Sequence, residues 1–373
     1  MKRFLVIGII LLILFCNISF TTLSDENSGN LGGKTLYVGG TGPGNYTKIQ
    51  DAIDNASDGD TVFVYSGTYY IGGIEIYKSI NLVGEDKYNT ILKAEGKLEP
   101  EGDKANVSAT LSVGSDVLIT GFSFDYFLFE FINLNSILSN NILNNSCVWL
   151  AHSNNYIINN IITNNNISFA IIAVEPKCYI SGNFISGNLY GIGLSHGSHI
   201  ISNNTFSKNN YGLIMYPHYT YAIFSGSSGN ITVYGNTFIE NNCGLYIYRY
   251  LDRMVRWNKI NHNNFIKNSV HAMFVDNPVP RLVPFEPISQ NTGNTFIDVN
   301  LLNRWNNNYW DDWNGFGPKP IKGKIAFLVR PLYLNLETYE YVPILIPFFR
   351  GIPFYNFDWH PAKEPYDIPV PEA

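Results

Sequence analysis

The sequence predicts an all-β solenoid, a stack of short parallel strands wound into a β-helix with a helical cap at its start. Three observations carry this expectation. Asparagine supplies 47 of the 373 residues, and 37 of these lie between Asn133 and Asn314. Through that stretch one unit recurs: Asn, an optional Thr, a Phe or Ile, two variable residues, then Asn again. Charged residues make up only 14%, against about 25% in an ordinary soluble domain. Stacked strands bring like charges together, so a solenoid disfavours them.

The chain opens on Lys2 and Arg3, followed by an apolar run from Phe4 to Phe15. A basic start before such a run reads as a secretory signal peptide or an uncleaved N-terminal anchor over residues 1–24. No later stretch reaches the ~18 apolar residues of a spanning helix. The remainder is therefore expected to be extracellular or at the cell surface, touching membrane only through that first segment. Three cysteines follow it, Cys147, Cys178 and Cys243. Their odd number leaves at least one thiol unpaired, and their spacing fits no zinc motif. Cys147 and Cys243 fall about four coils apart, roughly 19 Å at strand spacing, too far for a disulfide.

One helix is expected, within Asn45–Ala56. Ile49, Ala52, Ile53 and Ala56 follow amphipathic helical spacing, and Thr47 with Gln50 has the spacing of a capping box. Asp58-Gly59-Asp60 reads as a turn. Short β-runs follow at Thr61–Tyr65, Tyr69–Tyr77, Ser79–Val83 and Thr90–Lys93.

From about Val117 the repeat takes over, with apolar anchors at Ile142, Ile161, Phe184, Phe206, Phe238, Phe265 and Phe296. Their separations of 19, 23, 22, 32, 27 and 31 residues mark coils whose loops lengthen on one side. Asn tolerates the left-handed backbone of a sharp corner. At equivalent corners of stacked coils its amides can join into ladders. Phe184, Phe206, Phe238 and Phe265 are expected to point inward as one aromatic stack. Fourteen of the 18 prolines lie from Pro278 onward. Residues 303–325 look like a final coil and closing loop, and residues 316–373 like a Pro- and aromatic-rich cap or strap over the open end.

The run YVGGTGPGNYTKIQDAIDNASDGDTVFV, with SGTYY and KSINLVGEDKYNTIL after it, resembles the opening of exported right-handed parallel β-helix proteins. These belong to the pectate-lyase-like superfamily and are of the NosD-like, archaeal surface-protein type. The resemblance implies a right-handed parallel β-helix over residues 34–315, its end covered by the helix. It leaves function open, because the superfamily holds lyases, hydrolases, epimerases, binding proteins and copper-maturation factors.

Aligning the strands after each Asn corner exposes a column at their ends: His152, Glu175, His196, His218, Arg249 and Asp276. Over six coils it would span roughly 24 Å. The longest insertions leave from the same edge and carry Tyr216, Tyr250, Arg253 and Trp257. Aromatic faces and mixed charge along a shallow groove suit an extended polysaccharide or a glycan of the cell envelope. The competing reading is that strand ends lead into turns, which are polar in any β-helix. Glu175 and His196 could serve as general acid and base, or join His218 as metal ligands. Mid-solenoid carboxylate clusters of the calcium-dependent lyase kind are missing. The paired Asp311-Asp312 falls in the closing loop, where it reads as turn structure. Met215 and Met273 sit in strands, so a copper role lacks obvious Met ligands. No cofactor is evident, with calcium and copper standing as alternatives. A net charge of −6 argues against nucleic acid. The expectation is an exported β-helix protein that binds carbohydrate or builds the envelope. The alternatives are a polysaccharide lyase, hydrolase or epimerase, and a copper accessory protein.

Overall fold

The computed structural model describes residues 33–95, 99–101, 104–106, 109–166, 168–174, 177–195, 197–215, 228–250, 255–277, 303–325 and 352–369. Within these the chain winds as a right-handed parallel β-helix with three strands per turn. A representative coil consists of Ile137–Ser139, Ile142–Asn144 and Cys147–Leu150. Each strand pairs in parallel with its counterpart one coil away, for example Ile137 with Tyr156, Ile142 with Ile161 and Glu130 with Trp149. Three faces result. The second face is a sheet of 10 strands, one per coil. The first and third faces are joined into one 22-stranded sheet by the closing strand Ile352–Asp358.

The corners explain the asparagines. A residue in the left-handed region sits immediately before each second-face strand's Asn: Asn140, Asn159, Gly182, Asn203, Gly235, His262 and Asn307, with φ between 54° and 68°. That turn aims the next side chain, an Asn, into the wall of the coil. Asn141, Asn160, Asn183, Asn204, Asn236, Asn263 and Asn308 are all fully buried. In each, Oδ1 accepts the backbone N–H of the residue at the same corner one coil earlier, which is Phe122 for Asn141 and an Asn for the rest; Asn183 N to Asn204 Oδ1 is 2.9 Å, and Asn204 N to Asn236 Oδ1 is 2.9 Å. The Nδ2 group then donates to the following rung, at 2.9 Å from Asn183 and 3.0 Å from Asn204. It also donates to a strand carbonyl of the first face, as Asn204 does to Ile180 O at 2.9 Å. A second ladder, Asn165–Asn188–Asn209–Asn241–Asn268, precedes the third face in the same way. Before the first face the ladder is mixed, and Cys178 and His199 stand where Asn would be. There Cys178 N donates to His199 Nδ1 at 3.3 Å, and His199 Nε2 lies 3.1 Å from Ser195 O.

Inside the corners the core is a set of columns. Phe206, Phe238, Phe265 and Trp310 stack at 4.7, 4.9 and 4.2 Å with rings within 6° of parallel. Phe184 does not join them, contrary to expectation. The register pairs Phe184 with Thr205, and Ile185 with Phe206, so Ile185 is the inward residue. The cause is the extra residue, Thr205, Thr237 or Asn264, that the later copies insert after the Asn rung. Counted from the rung, Ile142, Ile161 and Phe184 occupy the outward first position, whereas Phe206, Phe238 and Phe265 occupy the inward second. Phe296 lies outside the described residues, and the coil after Phe265 contributes Trp310.

The ends are closed by different devices. The helix, Ile49–Asn55, buries Ile49, Ala52 and Ile53 against the first strands. Lys48 is its N-cap and makes no side-chain cap bond, so the expected capping box does not form. Gln50 is used elsewhere: its amide accepts from Glu75 N at 3.0 Å and donates to Glu75 O at 3.1 Å, imitating a neighbouring strand for Gly73–Ile76. Asp58-Gly59-Asp60 is a turn, with buried Asp60 accepting from Lys34 N and Ser57 N. At the other end, Lys319–Ile325 and Ile352–Asp358 form an antiparallel pair over the last coil. The tail beyond it is pinned by Asn264, which exchanges two 2.8 Å bonds with the backbone of Tyr366. Cys147, Cys178 and Cys243 are free thiols, and Cys147 is not bonded to Cys243, as their separation requires.

The register makes a contrast testable. Phe206→Ala removes a fully buried ring and is expected to cost about 3–5 kcal/mol in chemical denaturation. Phe184→Ala, at a half-exposed outward position, is expected to cost well under half of that. Equal losses would place both rings in the core and contradict the register.

Candidate functional site

The third face carries the residues on which a functional reading rests. Its strands alternate inward apolar and outward residues, and the outward ones form a continuous row. Glu75, Ser112, Glu130, Trp149, Ile172, Gly193, Ile214, Tyr246 and Met273 succeed one another in register. The row changes character along its length. It begins polar and acidic, reaches the indole of Trp149, 40% exposed, and continues apolar. A shallow cleft of about 490 Å³ adjoins the acidic end, lined by Gln50, Asp54, Glu75, Thr110 and Ser112. Beside the row, Phe169, Tyr190 and Tyr211 contact one another ring to ring at 4.7 and 5.6 Å, and Tyr211 meets Tyr246 of the row at 5.5 Å. The first pair is stacked and the other two are tilted, so each of these rings has a ring partner. Trp149 has no such partner among the described residues.

Trp149 and Glu130 were not singled out by the sequence reading. The alternation in FLFEF and CVWL was the signal available: both residues have the outward parity of their strands.

Leu150, Ala173, Leu194, Met215, Ile247 and Phe274 share one inward row; the first four end their strands, whereas the strands of Ile247 and Phe274 run on to Tyr250 and Asn277. His152 follows Leu150 by two residues and is exposed, its imidazole without a partner among the described residues. Arg249 and Asp276 are brought onto neighbouring strands as a register pair, and Tyr250 pairs with Asn277. Trp257 is exposed and sits at a left-handed corner, φ 62°, just before the first face. Glu175, His196, Tyr216, His218 and Arg253 lie outside the described residues.

One cluster of titratable groups forms where none was expected. His271 Nε2 lies 2.9 Å from Asp311 Oδ1 and 3.4 Å from Asp312 Oδ1, and Lys319 Nζ lies 2.6 Å from Asp312 Oδ2. His271 Nδ1 is 3.3 Å from Asn268 Nδ2, the last rung of its ladder. Nδ1 is thus an acceptor and Nε2–H a donor, which is the neutral imidazole. Burial is the main cause that holds the pKa of His271 below its ordinary value; the two aspartates oppose that and Lys319 adds to it. The paired Asp311-Asp312 is therefore part of the end closure, with Lys319 as its cation.

Residues 53–315 match the family model described as periplasmic copper-binding protein (NosD), and the chain belongs to that family. No curated protein matches it. Among solved structures it is similar to a PL6-family alginate lyase, at 12% identity over 65% of this chain and 40% of that one, TM-score 0.44. It is similar also to the catalytic domain of a GH87 alpha-1,3-glucanase in complex with nigerose, at 14% over 69% and 57%, TM-score 0.39. Carrot pectin methylesterase is a third, at 11% over 68% and 84%, TM-score 0.33. The chain spans less than two thirds of the length of the first two.

The described residues do not fit the copper of the family's description. Soft donors are dispersed: Cys147 and Cys243 are outward on strands four coils apart, and burial pushes both thiols up to about 12. A thiol held that high is not a thiolate ligand. Met215 is core. His271, Asp311 and Asp312 form the one convergent donor group among the described residues, and Lys319 already occupies it.

The sign of the His271 effect sets a pH test. Because folding lowers this pKa, the unfolded chain takes up the proton first, at about 6.5. The stabilisation is full above that value and declines as pH falls through it. Thermal melts of the wild type should drop more steeply below about pH 6.5 than those of His271→Gln. Parallel curves would show that folding does not lower the pKa of His271.

Proposed function

We propose that this protein is an exported or surface-anchored member of the NosD family that binds a glycan of the cell envelope along the outer side of its third face. One observation supports this most: the shared register of the inward row that precedes a set of polar residues. Counting two residues on from Leu150, Ala173, Leu194, Ile247 and Phe274 gives His152, Glu175, His196, Arg249 and Asp276, and the last coils carry Arg249 opposite Asp276. His218 falls three residues beyond Met215. On this reading polar, mixed-charge groups recur along the edge of a face whose outward row includes an open indole. Such a surface suits a long ligand that takes a little affinity from each coil.

The test is retention of the full chain on immobilised polysaccharides, with product release read in the same samples. Replacing His196 and His218 together is expected to weaken retention several-fold while leaving the melting transition in place. Cleavage of the polymer would replace the binding reading with an enzymatic one, and no retention on any polymer would remove both.

A further inference from the structure

Two neighbouring outward side chains on the third face, one a carboxylate and the other an indole, have no partner among the described residues. Glu130 is half-buried, and among the described residues its carboxylate makes no hydrogen bond or ion pair. Trp149, its register partner on the next strand, has no ring contact and no acceptor for its indole N–H there. Adjacent strands lie about 4.8 Å apart, so the carboxylate and the indole flank one small volume. A carboxylate that makes no bond within the protein keeps its acceptors free for a ligand that brings a cation or several N–H or O–H groups. The indole face favours the same cation within about 6 Å and offers an apolar plane to a sugar ring. The approach is acidic as well: Asp54 and Glu75 line the adjoining cleft. Neither the row nor the cleft lining contains a Lys or Arg. With a net charge of −6, this end of the face repels polyanions.

We infer that Glu130 and Trp149 form a subsite for an amino-sugar unit, and that the face selects amine-bearing glycans over polyuronates. The inference rests on the glycan-binding reading above and deepens it. The protonated amine sits between the carboxylate and the indole, and the pyranose ring lies on the indole plane. No bond is made or broken.

The experiment compares glucosamine, N-acetylglucosamine and uronate oligomers of equal length, binding to the full chain in mildly acidic, low-salt buffer. Glucosamine oligomers are expected to bind best and uronate oligomers least, with the difference shrinking as salt rises. Glu130→Gln, nearly isosteric, should weaken glucosamine binding about tenfold and bring it level with the N-acetylated oligomer. Trp149→Ala should weaken both. Preference for uronates, or a glucosamine affinity indifferent to Glu130→Gln and Trp149→Ala, would overturn the subsite while leaving glycan binding intact. Binding of no glycan would overturn the broader reading with it.

Discussion

Everything in this fold depends on the amide ladder at the coil corners. A β-helix must turn sharply three times per coil, and every turn breaks strand pairing and leaves backbone N–H groups pointing along the axis. Buried and unpaired, each would cost about 1–3 kcal/mol. An Asn one residue after a left-handed corner removes that cost, because its Oδ1 reaches the N–H of the coil before. Its Nδ2 then finds a strand carbonyl and the next Oδ1. The interaction repeats only if successive coils are in register, so the ladder also enforces the stacking that buries the Phe and Ile columns. Low charge and high asparagine are two consequences of one constraint.

A ladder has polarity, and its ends show it. Every Oδ1 faces the N-terminal side, so unsatisfied donors accumulate at the C-terminal end. The second-face ladder ends on Asp358, whose Oδ2 accepts from Asn308 N and Nδ2 at 2.9 Å each and from Trp310 Nε1 at 3.2 Å. A carboxylate suits that place, since three donors converge on it. The third-face ladder ends at Asn268 beside His271 and the Asp311–Asp312–Lys319 group. The polar residues of the last coil are thus terminators of ladders, which explains why aspartates gather there while mid-solenoid lacks them.

Much of this was legible beforehand because ladder and corner chemistry are written in residue types. Asn followed by an aliphatic or aromatic residue names both the corner and the core. Parity was harder to read. The extra residue after the rung, Thr205 before Phe206, shifts the next residue from the outward to the inward position, and for that reason Phe184 and Phe206 look equivalent in sequence and are opposite in space. Gln50 shows a related ambiguity: its spacing from Thr47 suits a cap, yet the open edge of Gly73–Ile76 offers it two backbone groups at once. Glu130 and Trp149 were hidden for a third reason. Their strands carry no Asn repeat of their own, and only stacking brings the two side chains together. His271 meets Asp311 and Asp312 across about 40 residues of sequence, beyond the reach of any local pattern.

The ladder itself can be measured most directly by hydrogen exchange on the full chain. The backbone amide of Asn183 donates to Asn204 Oδ1, while that of Asn188 donates to Asn209 Oδ1 in the other ladder. In the wild type both should exchange only through global opening. In Asn204→Ala the Asn183 amide should exchange at least about tenfold faster relative to Asn188, because it alone has lost its acceptor. Equal protection of the two amides in that variant would contradict the account, since the corner would then be held by strand pairing and core packing without its ladder.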